Sequence, residues 1–194
     1  KSRSRGLGDV YKRQVLMQES SSPTIKSIQE DFKKNLPNAD WVVYESVNNE
    51  NLYDGIELAF SKRLQPLYRL EKAQIIVSLG SDFLGVDDNN IYHTRKFAQN
   101  RNIVDENSTM NRLYVAESSI SSTGSSADHR LNIPQYEMEN LLAELAYELK
   151  QLGLRIEAKK VKSSNNLWVK AAAKDLFDGR GESIIIGGSS LSKE

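Results

Sequence analysis

Three short loops hold the residues whose types and spacing could do chemistry. "GSDFLG" (80–85) has the two glycines of a phosphate-binding loop, Gly80 and Gly85, with four residues between them. Val86 and Asp87 stand where such a loop needs a lysine and a serine or threonine to hold phosphate and Mg²⁺. Asp82 would also repel a phosphate. The favoured reading is a tight turn, with Gly80, Ser81 and Asp82 as the residues that a ligand would meet otherwise. "SSISSTGSS" (118–126) offers hydroxyls and backbone N–H groups to an anion or a pterin-like edge, with Thr123 and Gly124 at its centre. "GGSS" (187–190) is a third loop of that kind. Cofactor-binding candidates are therefore Gly80, Ser81, Asp82, Thr123 and Gly124, against the plainer expectation that these are turns.

Other constellations fall short. Asp128 and His129 are neighbours on an extended segment, so their side chains point to opposite faces and cannot orient one another. Arg130 shares a face with Asp128, which predicts a structural ion pair. His93 lies in a polar helical stretch and is expected to face solvent. "VDDNN" hints at a Ca²⁺ loop, but counting from Asp87 puts Ile91 fifth and Ala98 twelfth, where oxygen ligands are required. No metal set, catalytic residue or nucleophile–base pair is left. With no cysteine in 194 residues, neither a disulfide nor a thiolate-held cluster can form within the chain.

The elements that would position these loops follow from hydrophobic period. "VLMQE" (15–19), "WVVYE" (41–45), "AQIIVSLG" (73–80), "RLYVAES" (112–118) and "SIIIGG" (183–188) read as strands, and "DHRLNIP" as a short extended piece. The unbroken apolar character of "AQIIVSLG" is that of a central parallel strand covered on both faces. Between them lie helical patterns. Ser22 caps a helix with Pro23 in its first turn and Ile25, Ile28, Phe32 and Leu36 on one face. Further helices are predicted over 51–63, 89–100 and 138–152, where Met138, Leu141, Leu142, Leu145, Ala146, Leu149 and Leu152 recur at helical spacing before Gly153. "NNLWVKAAAKDLF" predicts another. Strand–helix alternation with short links predicts an α/β fold: a doubly wound, mostly parallel, Rossmann-like sheet with helices on both faces. Residues 15–152 would form the main domain and 153–164 a linker. Residues 165–194 would add a helix and strand to the same or an adjoining lobe. In open sheets of this type ligands bind beyond the carboxyl ends of the strands, which is where all three loops lie.

Residues 1–14 stand apart. "RGLGDVYKRQ" (5–14) has two glycines of a dinucleotide fingerprint, but Tyr11 occupies the third position and no strand precedes it. "DVYKRQ" can be encoded by GAT GTG TAT AAG AGA CAG, which resembles the end of a transposase sequencing adaptor. The segment is therefore expected to be adaptor read-through and is set aside. It holds five of the 26 basic residues and one of the 26 acidic ones, leaving 21 and 25, a net of −4. A mildly acidic body lacks the concentrated positive field that a nucleic-acid surface requires. No apolar run approaches the length of a membrane span. Since the last strand is not followed by a covering helix, the C-terminus is expected to be cut as well, which together with the adaptor read-through makes the chain an internal part of a longer polypeptide.

Three stretches carry a family resemblance: "ADWVVYESVNNENLYDGIELAFSKRLQPLYRLEKAQIIVSLGSDFLG", "MNRLYVAESSISSTGSSADHRLNIP" and "SIIIGGSS". Together they resemble the molybdopterin oxidoreductase superfamily, nearest to the molybdopterin-oxidoreductase-like half of the iron–sulfur subunit of bacterial alternative complex III. Such chains are commonly described as twin-arginine-translocated. The resemblance runs over residues 15–194. It implies a parent that takes part in respiratory electron transfer from quinol, on the periplasmic side of the bacterial inner membrane, with iron–sulfur clusters in another part of the subunit. It also implies partners: the rest of that subunit and the other subunits of the complex. Active relatives carry R-P-G-T-D in the turn that holds the nucleotide end of the pterin cofactor. The matching positions here are Ile133, Pro134, Gln135, Tyr136 and Glu137, without the glycine and the aspartate. The implied role is thus a scaffold that kept the fold without the cofactor. The alternatives are a pterin- or nucleotide-binding domain of an active enzyme, or a small-molecule binding module.

Overall fold

The computed structural model describes residues 13–106, 109–159 and 167–191. Residues 1–12 of the segment set aside, 160–164 of the expected linker, the first two residues of "NNLWVKAAAKDLF" and the last three of the chain lie outside these. The chain forms two compact units, Lys1–Asn48 and Asn49–Glu194.

The first unit is a β–α–β element. Strand β1 (Gln14–Met17) and strand β2 (Asp40–Val43) pair in parallel, Gln14 opposite Asp40 and Met17 opposite Val43. Helix α1 (Pro23–Asn35) joins them, with Pro23 at its start, where a missing N–H costs nothing. Phe32 of α1 meets Trp41 of β2 edge to face, with ring centroids 5.4 Å apart. None of the described residues of this unit is fully buried.

The second unit holds the core. Helix α2 (Glu50–Phe60) ends at Ser61, which takes the left-handed conformation (φ 55°). Strand β3 (Ile75–Leu79), helix α3 (Asn90–Gln99), strand β4 (Arg112–Glu117), the single helical turn α4 (Ser122–Ser125) and strand β5 (His129–Asn132) follow. Helix α5 (Met138–Gln151), helix α6 (Leu167–Asp178) and strand β6 (Ser183–Gly187) complete it. The sheet order is β5-β4-β3-β6, and every pair is parallel. In register, Val77 of β3 lies between Tyr114 of β4 and Ile185 of β6.

Alternation along β3 and β4 divides the apolar side chains between two faces. Val77, Leu79, Tyr114 and Ala116 pack under α5 and α6, against Leu141, Leu145, Val169 and Ala172. Ile76, Leu113, Val115 and Ile186 pack on the opposite face with Leu70, Phe83 and Phe97, the last from α3. Helices therefore cover both faces. The crossovers from β3 to β5 run on one face and the return to β6 on the other, which makes the fold α/β, Rossmann-like and doubly wound. As expected, β3 is interior and covered on both sides. Residues 183–187 belong to the same sheet as 75–79. No described helix is long and apolar enough to cross a membrane.

Candidate functional site

The carboxyl ends of β3, β4 and β6 bring the predicted loops together, and the backbone sets the geometry. Gly80 leaves β3 at φ +68°, a conformation open to glycine and strained for other residues. Its N–H donates to Ala116 O at 2.8 Å, and Gly188 N–H donates to Leu79 O at 2.9 Å. A Cβ on Gly188 would overlap the Gly80 carbonyl, so the ends of β3 and β6 meet backbone against backbone. Above Gly80 stand the side chains of Ser190, Gln135 and Met138, and Gln135 Nε2 donates to Ser190 Oγ at 2.8 Å.

The "GSDFLG" loop is a closed turn. Phe83 is fully buried and meets Phe97 edge to face, which anchors the loop in the core. The Asp82 carbonyl accepts from Gly85 N–H (2.9 Å) and Asp87 N–H (3.2 Å). Its carboxylate accepts from Val86 N–H (3.2 Å) through Oδ2, and from both Thr123 N–H and Thr123 Oγ1–H (2.8 Å each) through Oδ1. Thr123 Oγ1 in turn accepts Leu84 N–H at 3.0 Å. Ser81 is buried, and its hydroxyl donates to Asp87 Oδ2 at 2.6 Å. Thus the candidate residues Ser81, Asp82 and Thr123 do meet, as partners of one another or of their own loops.

The second loop closes in a similar way around Glu117, a buried carboxylate at the end of β4. Glu117 accepts from Arg130 Nε at 2.5 Å and from the Ser121 hydroxyl at 2.6 Å. Ser121 caps α4 by accepting Gly124 N–H at 2.9 Å. A Cβ at Gly124 would overlap the Glu117 carboxylate, and one at Gly85 would overlap that of Asp82. The space that these glycines leave is filled by the chain's own carboxylates.

Two sequence expectations need correction. Arg130 pairs with Glu117, while Asp128 pairs with Arg101 through two contacts (3.1 and 2.5 Å) and accepts Leu113 N–H at 2.7 Å. Asp128 precedes β5, so strand alternation never applied to it. His93, expected in solvent, is 1% exposed. It lies one turn before buried Phe97 on the face of α3 that packs on the sheet. Its Nε2 accepts Tyr68 N–H at 3.3 Å, its ring stacks on Tyr68 with centroids 4.9 Å apart, and its Nδ1 has no partner among the described residues. Burial lowers its pKa below the ordinary imidazole value, against the pull of Asp87.

A cluster that the sequence reading missed surrounds Tyr114. Its hydroxyl donates to Asp175 Oδ2 at 2.6 Å, where Arg112 also donates (2.5 Å). His129 stacks on its ring (4.6 Å), and Trp168 Nε1 donates to His129 O at 2.9 Å. Burial, then the bond to Asp175, pushes the phenol pKa up to about 12. No local motif could have flagged these groups, since Tyr114 and Asp175 are 61 positions apart.

Between the ends of β3 and β6, Ser81, Asp87, Asp88, His93 and Ser189 line a crevice of about 30 Å³. That is room for about one water molecule. As placed, these residues do not fit a pterin cofactor: the spaces at Gly85 and Gly124 are filled by the chain's own carboxylates, and the crevice is water-sized. Among the described residues no group of three or more His, Asp or Glu could hold a metal ion. In comparisons with known proteins, no family model matches the chain and no curated protein matches it significantly.

Proposed function

We propose that the chain is a non-catalytic scaffold domain of a respiratory, quinol-oxidising iron–sulfur subunit of the molybdopterin-oxidoreductase-like kind. Its task is packing: holding the cluster-bearing part of the subunit and offering surface to neighbouring subunits on the periplasmic side of the membrane. The resemblance of residues 15–194 supports the parent. One observation supports the inert role: Asp82 spends one carboxylate oxygen on the amide and hydroxyl of Thr123, which joins two loops that would otherwise grip a ligand. In a ligand site of this fold those donors and the glycine spaces beside them would stay open. Iron–sulfur ligation would come from elsewhere in the parent, because this chain has no cysteine.

Purification of the full-length subunit, with iron and molybdenum analysis and pterin fluorescence after oxidation, tests the reading. Iron without molybdenum or pterin is expected. A stoichiometric pterin would overturn it, and a subunit with neither metal would favour a small-molecule binding module.

A further inference from the structure

Residues 61–69 cross the carboxyl edge of the second unit without regular secondary structure, between α2 and the 3₁₀ turn Leu70–Lys72. Side chains anchor both ends of this strap. Arg63 pairs with Glu50 (2.5 Å) and Asp54 (3.8 Å) of α2. Beyond the strap, Leu70 is fully buried, and the Asn100 side-chain amide donates to the carbonyls of Leu70, Glu71 and Ala73. The middle is not held in that way. Between Ser61 and Arg69, the backbone's inward hydrogen bond among the described residues is Tyr68 N–H to His93 Nε2. Leu64 and Leu67 are exposed, whereas Pro66 and Tyr68 turn in and line the crevice between β3 and β6 with His93, Ser81 and Asp87.

We propose that His93 is a proton-released pin: neutral, it holds the strap over the crevice, and protonated, it lets Leu64–Tyr68 lift and opens the carboxyl ends of β3 and β6. The hydrogen-bond geometry requires this coupling. An amide N–H that points at Nε2 needs the imidazole lone pair, so the neutral ring carries its proton on Nδ1. A proton added at Nε2 would face the Tyr68 N–H and remove that acceptor. The new cation would lie in a site that is 1% exposed. The surroundings oppose a stable buried cation only in part. Asp87 and Asp88 of the loop after β3 attract it, while Tyr68 of the strap and Tyr92 of α3 present rings to it. From α2 and β6 the crevice wall is uncharged (Asn49, Leu52, Gly187 and Ser189). Lifting the strap would hydrate the imidazolium and still leave it beside Asp87, whereas β3, β4 and the 3₁₀ turn keep their own bonds. The strap's motion depends on these contacts alone, whether or not the domain is a scaffold.

Hydrogen exchange from pH 8 to pH 5, corrected for intrinsic rates, tests it on the wild-type chain. Protection of the Tyr68 amide, the hydrogen-bonded N–H of the strap, should be constant above about pH 6.5 and then fall by up to about tenfold per pH unit, while β3 and β4 amides stay protected. His93→Phe keeps a ring to stack on Tyr68 and should give a strap whose protection is lower and independent of pH. Three results would overturn the proposal: strap protection equal at pH 5 and pH 8, loss of strap and β3 protection together, or an unchanged pH slope in His93→Phe. Should that variant fail to fold, the wild-type His93 ¹³Cε1 shift must titrate in step with the loss of protection. A mismatch between the two would equally refute the pin.

Discussion

One carboxylate oxygen of Asp82 accepts both the backbone N–H and the hydroxyl of Thr123, each at 2.8 Å, across 41 residues of sequence. Two loops that leave adjacent parallel strands are thereby stapled at the edge where an α/β fold usually keeps its ligand.

The staple depends on Gly85, because a Cβ there would occupy the place of the Asp82 carboxylate. Gly85→Ala should displace that carboxylate, leave the Thr123 amide unsatisfied, and lower stability by about 1–3 kcal/mol. Gly55→Ala is the contrasting case. Gly55 lies inside α2, and a methyl group added there would meet nothing within 4 Å, so alanine should raise stability by about 0.5–1 kcal/mol. Urea unfolding of both variants at neutral pH would check the pair.

The Tyr114 cluster sets an alkaline limit. Its phenol keeps its proton in the fold up to about pH 12, whereas an unfolded tyrosine loses it near about 10. The folded state therefore binds more protons in that window, and stability should be full below about pH 10 and fall as pH rises through it. Tyr114→Phe should flatten this alkaline slope and, by removing a bond to a charged group, cost about 1.5–3 kcal/mol at neutral pH. Thermal unfolding at pH 7, 10 and 11 measures both effects.

The acid limit has a different origin. Burial raises the pKa of Asp175 and of Asp128, but bonds from Tyr114 and Arg112 to the first, and from Arg101 and Leu113 N–H to the second, outweigh it. Both carboxyls stay below the usual carboxylate value, so their contribution is present above about pH 4 and is lost as pH falls through the lowered values. Arg101→Met should shift the acid midpoint to higher pH, as followed by tryptophan fluorescence. A midpoint identical to wild type would remove Asp128 from this account.

How much of this was legible in the sequence differs from element to element. β3 was plain from its unbroken apolar run, because a strand buried on both faces needs no polar alternation. The helix from Met138 was plain from its leucine spacing. The place of β6 beside β3 was not, since a parallel partner is chosen by the crossover of α5 and α6 over the sheet and not by any feature of "SIIIG". His93 was misread because α3 is polar almost throughout. Its buried stripe consists of His93 and Phe97, too few apolar positions to set a period, although their four-residue spacing was the available signal. The turn at 80–85 was legible from its two glycines, whereas 118–126, read as a small-residue loop, holds the helical turn α4 over Ser122–Ser125. That Asp82 and Glu117 fill those glycine spaces depends on contacts across the sheet, which local spacing does not encode.

The closing of the carboxyl-end loops on each other is tested most directly by a double-mutant cycle on Asp82→Ala and Thr123→Val, read by equilibrium unfolding. Each single change should destabilise the chain, and the pair should cost less than the sum by about 0.5–3 kcal/mol. Residues kept for a ligand tend to be held against stability. An Asp82→Ala chain more stable than wild type, or costs that simply add, would contradict the staple and with it the inert framework.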